Sequence, residues 1–233
     1  MELPILYEDA NLVAVAKPAG LLTHAGEGSE VATAERWFKT NYPEGAGYVH
    51  RLDRDTSGVL VFAKNPDTYT FLRKAFHDRE VHKTYLAFVY GVPKEKKGSI
   101  DFDIGRSRKD FRLRSAQPKA KGRLREALTR YEVLGEAEGC ALLKVNPETG
   151  RTHQIRVHLK AIHHPVVGDA LYAPNHPPAL GIARLGLHAY ALELPLPRGA
   201  HTLIIAPVPS DLAPAYERFA EGAEKFAVSK SAC

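Results

Sequence analysis

The densest polar segment in the chain is His50-Arg51-Leu52-Asp53-Arg54-Asp55-Thr56-Ser57-Gly58, and it runs directly into the apolar stretch Val59 to Ala63. Loops held at the ends of buried strands are where binding and catalytic groups concentrate. Asp53 stands between two arginines, and a neighbouring guanidinium favours the ionised carboxylate, the form that acts as nucleophile or base. The same residues also suit an Asx or Ser/Thr turn, with Asp53, Asp55, Thr56 and Ser57 bonding local backbone N–H groups. On residue chemistry alone both readings stand.

A second cluster is Thr149-Gly150-Arg151-Thr152-His153-Gln154-Ile155-Arg156-Val157-His158-Leu159-Lys160. On a helix, Thr152, Arg156 and Lys160 share one stripe beside the apolar stripe of Ile155, Leu159 and Ile162, so Arg156 can lean over a partly buried edge towards an anion. The alternative is a solvated basic face. His153 and His158 are five apart and lack the glutamate of HExxH, which disfavours zinc hydrolase chemistry. His163-His164, before a proline, reads as structural or surface. A third element, Lys83-Thr84-Tyr85-Leu86-Ala87, has strand character. Alternation places Lys83, Tyr85 and Ala87 on one face, where Tyr85 either fills core or offers a ring to a nucleobase.

These segments need elements to hold them. Strands are expected at Ile5 to Tyr7, Leu12 to Ala16, Val59 to Ala63, Thr84 to Tyr90, Leu128 to Leu134, Cys140 to Val145, Leu187 to Leu194 and Thr202 to Ala206. Helices are expected at Val31 to Thr40, Thr68 to Phe76 and Thr152 to Ile162, the last capped by Thr149 or Thr152. The polar link Gly135 to Gly139 reads as a hairpin turn. Strands outnumber helices and several are joined by short links, so the expected fold class is α+β, a mixed and largely antiparallel central sheet with flanking helices and loops. Neither GxxxxGK[ST] nor GxGxxG occurs, which lowers the case for a P-loop or dinucleotide enzyme.

The chain has 233 residues, 44% hydrophobic and 25% charged, which is enough to build a core without metal or disulfides. Two cysteines, Cys140 and Cys233, form neither a disulfide framework nor a zinc spacing, so no metal site is expected and the setting is reducing. The first ten residues, MELPILYEDA, resemble no signal or transit peptide, and no run of about 18 uncharged apolar residues marks a membrane helix. A cytoplasmic location and no membrane partner are expected. The formal charge is +5, yet Arg106 to Arg125 holds nine basic residues against Asp110 alone, so the remainder is net −3. This basic arm, interrupted by Pro118 and Gly122, is expected to form a hairpin or loop, and it reads either as a solvated lysine and arginine loop or as a surface that grips RNA, through Arg112, Arg114 and Lys119 with Phe111 as a stacking ring. No heptad or long apolar stripe suggests a dedicated dimer helix, so a monomer without an obligatory protein partner is expected.

HRLDRDTSGVLVFAKN resembles the catalytic motif of the RluA family of pseudouridine synthases, and TGRTHQIRVHLKAIHHPVVGDALY resembles its second long signature. LVAVAKPAGLLTH, KTYLAFVYG, EALTRYEVL, LHAYALELPLP and APVPSDL are further matches, so the resemblance runs from about Ile5 to Asp211. It implies an RNA pseudouridine synthase acting without a cofactor on structured tRNA, large-subunit rRNA or both. The expected domain spans residues 1–220, followed by a tail at 221–233. By resemblance, Asp53 is the catalytic carboxylate, Tyr85 packs against the target ring, Arg156 pairs with the aspartate and Arg51 lies near the flipped nucleotide. Arg54 joins the arm residues as an RNA-binding candidate. The match starts at the first strand, so the compact form of the family, without an N-terminal S4 module, is expected. Two other readings compete: an N-glycoside hydrolase using Asp53 and Asp55 as a pair, and a catalytically silent RNA-binding protein.

Overall fold

The structure is a computed structural model describing residues 1–26, 29–107, 113–116, 121–197 and 199–219. In chain order the elements begin with β1 (Ile5–Glu8), β2 (Leu12–Lys17), α1 (Ala34–Asn41), β3 (Gly47–Tyr48), β4 (Ser57–Ala63) and α2 (Pro66–His77). Then come β5 (His82–Tyr90), β6 (Lys97–Asp101), β7 (Ile104–Arg106), β8 (Arg114–Ser115), β9 (Lys121–Arg125), β10 (Leu128–Ala137) and β11 (Cys140–Pro147). The last are α3 (Gln154–Ala161), β12 (Leu187–Pro195), β13 (His201–Ile205) and α4 (Ala213–Glu217). The chain divides into two compact units, the first comprising residues 1–83 and 188–207, the second residues 84–187 and 208–233.

In the first unit β1, β2 and β4 pair antiparallel, β3 also pairs with β4, and β12 pairs with β13. One pairing is parallel: β4 meets β12 at Ser57↔His188 and Gly58↔Ala189. Strand β4 is buried along its whole length, which is why it reads as a continuous apolar run rather than an alternating one. One of its faces, Val59, Val61 and Ala63, packs with Leu12, Ala14, Leu72 and Ala75 beneath α2, while Phe62 stacks on Phe38 of α1 at 4.6 Å. A fully buried side chain of this size contributes about 1.5–3 kcal/mol. Gly58 has φ +123°, and a Cβ built there would lie 2.1 Å from the carbonyl oxygen of Ala189, so the parallel seam at the motif's end admits only glycine.

Local chemistry sets the element ends. Asp9 accepts the N–H groups of Asn11 and Leu12 at 2.7 and 2.8 Å, turning the chain between β1 and β2. Thr33 caps α1 and Asn65 caps α2, with Pro66 in the first turn, where its missing N–H costs nothing.

In the second unit β5, β11, β10 and β6 form an antiparallel succession. The β10–β11 turn is tighter than the sequence suggested. Strand β10 continues to Ala137, and Glu138 and Gly139, both at positive φ, close a two-residue turn of the kind that matches strand twist. Helix α3 packs Ile155 and Leu159 on Ala87, Val89, Leu143 and Val145. Strands β8, β7 and β9 form a separate three-stranded antiparallel sheet with β7 central. It occupies the flanks of the basic arm, and Phe111, Arg112 and Lys119 lie outside the described residues, as does the tail at 221–233. The mixed, largely antiparallel α+β class expected from the sequence is the one found. The cap of α3 is a correction: neither Thr149 nor Thr152 serves, and His153 takes the position in the left-handed region, with φ 57° and no side-chain cap bond.

Candidate active site

The first unit holds the segment around Asp53, and three distant side chains pin it, two through its backbone and one through a hydroxyl. Lys17, the last residue of β2, is 1% exposed, and its ammonium donates to the carbonyls of Pro18 (2.9 Å), Leu21 (2.7 Å) and Arg54 (2.9 Å). Burying a cation is costly unless its protons are taken up, and three carbonyl oxygens match its three N–H bonds. The Thr23 hydroxyl donates to the Leu52 carbonyl at 2.9 Å and accepts the Leu52 N–H at 3.1 Å. The Asp53 carbonyl accepts from the N–H of Thr56 at 3.2 Å, so backbone closes this turn. Ser57 lies 2.9 Å from His188 Nδ1, while Nε2 of the same ring lies 3.1 Å from the Ala206 carbonyl. A carbonyl only accepts, so Nε2 carries the proton and Nδ1 accepts from the serine hydroxyl.

Within this clamp Asp53 is half-buried, and Arg51 and Arg54 are exposed. Arg54 grips the neighbouring Asp55 through Nε and Nη2 at 2.9 and 3.2 Å, so its fork faces a carboxylate beside it. His50 accepts the N–H of Val61 through Nε2 at 3.1 Å and stacks on Phe76 at 4.8 Å. Burial, reinforced by the charge of Lys83, pushes its pKa down to about 3, which keeps the ring neutral at physiological pH.

The second unit holds Tyr85 and Arg156. Tyr85 lies on β5 opposite Val145 and is half-buried, on the same sheet face as Ala87 and Val89 that receives α3. Arg156 is buried within α3. Its Nε and Nη2 donate to Asp169 Oδ2 and Oδ1, each at 2.8 Å, in a pair with side-chain exposures of 5% and 0%. Asp169 Oδ1 also accepts the N–H groups of Leu171 and Tyr172 at 3.0 Å. Bidentate geometry and extra bonds to the carboxylate are what allow an ion pair to be buried.

The rest of the second cluster is scaffold. Gln154 Oε1 accepts from the Thr149 hydroxyl at 2.7 Å and the Arg151 N–H at 3.0 Å, while its amide donates to Leu128 O and Thr129 Oγ1 at 3.0 Å. His158 Nε2 donates to the Phe102 carbonyl at 2.9 Å, so Nδ1 accepts from Thr129 Oγ1 at 2.9 Å. Burial pushes the His158 pKa down despite that carbonyl and nearby Asp101. The network stitches α3 to β10 and fixes the height of Arg156. His164 meets the Tyr90 carbonyl at 3.0 Å, the structural role expected of it.

Residue chemistry assigns no role to five residues in these arrangements: Lys17, Thr23, Asp169, Tyr172 and His188. All five lie inside the segments that carry the family resemblance, and that is the signal by which the sequence marks them. Among the described residues no group of three or more His, Cys, Asp or Glu side chains is placed to hold a metal ion.

A family model described as RNA pseudouridylate synthase matches residues 11–161. The chain belongs to that family. Its members are isomerases, and the activity of this RNA pseudouridine synthase is accordingly the conversion of uridine to pseudouridine in RNA. It is 38% identical over 214 residues to the dual-specificity RNA pseudouridine synthase RluA of Vibrio cholerae, covering 91% of this chain and 85% of that one. It is 40% identical to ribosomal large subunit pseudouridine synthase D of Nitrosomonas europaea, covering 91% of this chain and 63% of the other. Among solved structures, human RNA pseudouridylate synthase domain containing 1 superposes with a TM-score of 0.76 at 28% identity, over 89% of this chain and 84% of that one. Among the described residues of the synthase no helix is long and apolar enough to cross a membrane.

Proposed function

We propose that this synthase isomerises specific uridines in structured tRNA, large-subunit rRNA or both, with Asp53 as the catalytic carboxylate. The observation that carries the reading is the clamp on the Asp53 turn. Lys17 and Thr23 hold the backbone at Arg54 and Leu52 and His188 holds the Ser57 hydroxyl, leaving a half-buried carboxylate on a rigid support between two exposed arginines. Rigid placement of a reacting group is worth far more than its mere presence. The substrate range follows the relatives, one named as dual-specificity and one as acting on the ribosomal large subunit.

The isomerisation breaks the bond from the sugar C1′ to ring N1, turns the base and joins C1′ to ring C5; the C5 proton leaves and N1 gains one. No water or redox change enters the net reaction. An ionised Asp53 begins it by attacking C1′ or by helping to form a dehydrated sugar, and a base removes the C5 proton at the end. Tyr85 packs on the flipped ring, Arg156 pairs with the aspartate, and Arg51 sits beside the extruded nucleotide. Flipping costs a few kcal/mol, which phosphate contacts from the arm residues Arg112, Arg114 and Lys119, together with Arg54, offset. The enzyme works in the cytoplasm as a monomer.

The test is tritium release from tRNA and rRNA transcripts labelled at uridine C5, with wild type and Asp53→Asn in parallel. Release by wild type alone supports the assignment, and the RNA that reacts names the substrate class. Free uracil in place of a mass-neutral product would instead favour the hydrolase. Tight binding without release from any RNA would favour the silent RNA-binding protein.

A further inference from the structure

The hydroxyl of Tyr172 joins two segments that flank Arg156 in the second unit. It accepts the backbone N–H of Arg114, on β8 of the arm sheet, at 2.8 Å. The same phenolic oxygen lies 2.9 Å from His153 Nδ1, so one atom bonds both segments. His153 is the residue held in the left-handed region at the start of α3, a conformation that a side chain larger than glycine keeps only when its surroundings enforce it.

The ring of Tyr172 carries the second connection. It is 3% exposed, and the Arg156 guanidinium lies over it at 5.0 Å, with the Lys160 ammonium at 5.6 Å. Its backbone N–H is one of the bonds on Asp169, the carboxylate that holds Arg156. The foot of the arm and α3 also share an apolar cluster, in which Ile104, Leu113 and Ala116 meet Val157 and Tyr172.

We propose that Tyr172 is a positioning residue that ties the placement of the basic arm to the alignment of Arg156. Its hydroxyl sets where β8 lies and its ring sets where the guanidinium lies, so an arm drawn onto RNA and an arginine aimed for reaction are parts of one packed unit. This rests on the reading that Arg156 serves Asp53 in the isomerisation. It goes further by giving one side chain two tasks, the hydroxyl serving the grip on RNA through β8 and the ring serving turnover through Arg156.

The two parts of the side chain separate by substitution. Tyr172→Phe removes the hydroxyl and keeps the ring, so KM for RNA rises at least fivefold while kcat falls less than threefold. Tyr172→Leu removes both, and kcat at saturating RNA falls more than tenfold in addition. His153→Asn keeps a residue that tolerates the left-handed region but removes Nδ1, and it reproduces the KM effect without touching Tyr172. Each variant is assayed well below its thermal midpoint. General destabilisation lowers the active fraction and hence kcat, and does not raise KM alone.

Wild-type KM in both Tyr172→Phe and His153→Asn would overturn the proposal, as would kcat within threefold of wild type for Tyr172→Leu. Absence of tritium release by wild type itself would sink the reading of Asp53 and with it the ring's part in turnover, and would leave the hydroxyl's part standing. RNA affinity by filter binding then decides, and an unchanged Kd for Tyr172→Phe would overturn the role of the hydroxyl.

Discussion

Lys17 and Arg54 lie 37 positions apart in the chain, and the buried ammonium of the first donates to the carbonyl of the second at 2.9 Å. That bond, with those to Pro18 and Leu21, joins the loop after β2 to the turn bearing Asp53. Lys17→Met keeps the length of the side chain and leaves three carbonyls without their donor, each at about 1–3 kcal/mol if it stays buried. The expected outcome is a stability loss of about 3 kcal/mol in urea unfolding, and a fall in kcat larger than the change in RNA affinity. Wild-type turnover in a folded Lys17→Met protein would show that the clamp does not position Asp53.

The Arg156–Asp169 pair is buried on both sides, so removing one charge leaves the other uncompensated. Asp169→Asn retains a carbonyl oxygen for the N–H groups of Leu171 and Tyr172 but not the charge. A loss of about 3–5 kcal/mol is expected from equilibrium unfolding. Tritium release should fall at least tenfold at saturating RNA. A variant that unfolds like wild type would mean that Arg156 is held by other contacts.

His50 gives an acid limb to the stability curve. Its pKa is depressed to about 3 in the folded protein, against about 6.5 in an unfolded chain, so the unfolded state binds the proton first as pH falls. Its contribution is complete above about pH 6.5 and is lost progressively between there and pH 3. His50→Gln can keep an acceptor for the Val61 N–H and does not titrate in this range. Melting temperatures of wild type and His50→Gln measured from pH 7.5 to 4.5 should therefore converge, with wild type falling more steeply. Parallel curves would remove His50 from the acid response.

For the arm, Arg112→Ala combined with Arg114→Ala should weaken RNA binding and flatten the plot of log Kd against log salt, by roughly 0.7 to 0.9 per lost phosphate contact. Filter binding across a salt series measures this. An unchanged slope would take both side chains out of the interface.

Much of the fold is legible in the sequence because it rests on local patterning. The strands around VLVFA, KTYLAFVYG and the β10–β11 hairpin follow from apolar content and turn residues, and helix α2 from Asn65-Pro66 and its apolar spacing. Short elements escaped for the same reason: β3 is two residues, and β6, with the sequence Lys-Gly-Ser-Ile-Asp, has one buried position. Their backbone is extended because a neighbouring strand supplies hydrogen bonds, which no local propensity encodes.

By itself the sequence determined the order of elements, the position of the polar motif at the head of a buried strand, the charge of the arm and the family of the enzyme. Tertiary structure alone decided what holds the reactive groups. It paired Arg156 with Asp169 and placed Tyr172 beneath that guanidinium. It also bonded Lys17 to the carbonyls around the Asp53 turn and joined Ser57 to His188, 131 positions away. The physical reason is that a hydrogen bond or ion pair requires two atoms within about 3 Å. Which residues meet at that distance depends on how strands from distant stretches of chain pack, and residue spacing does not carry that information.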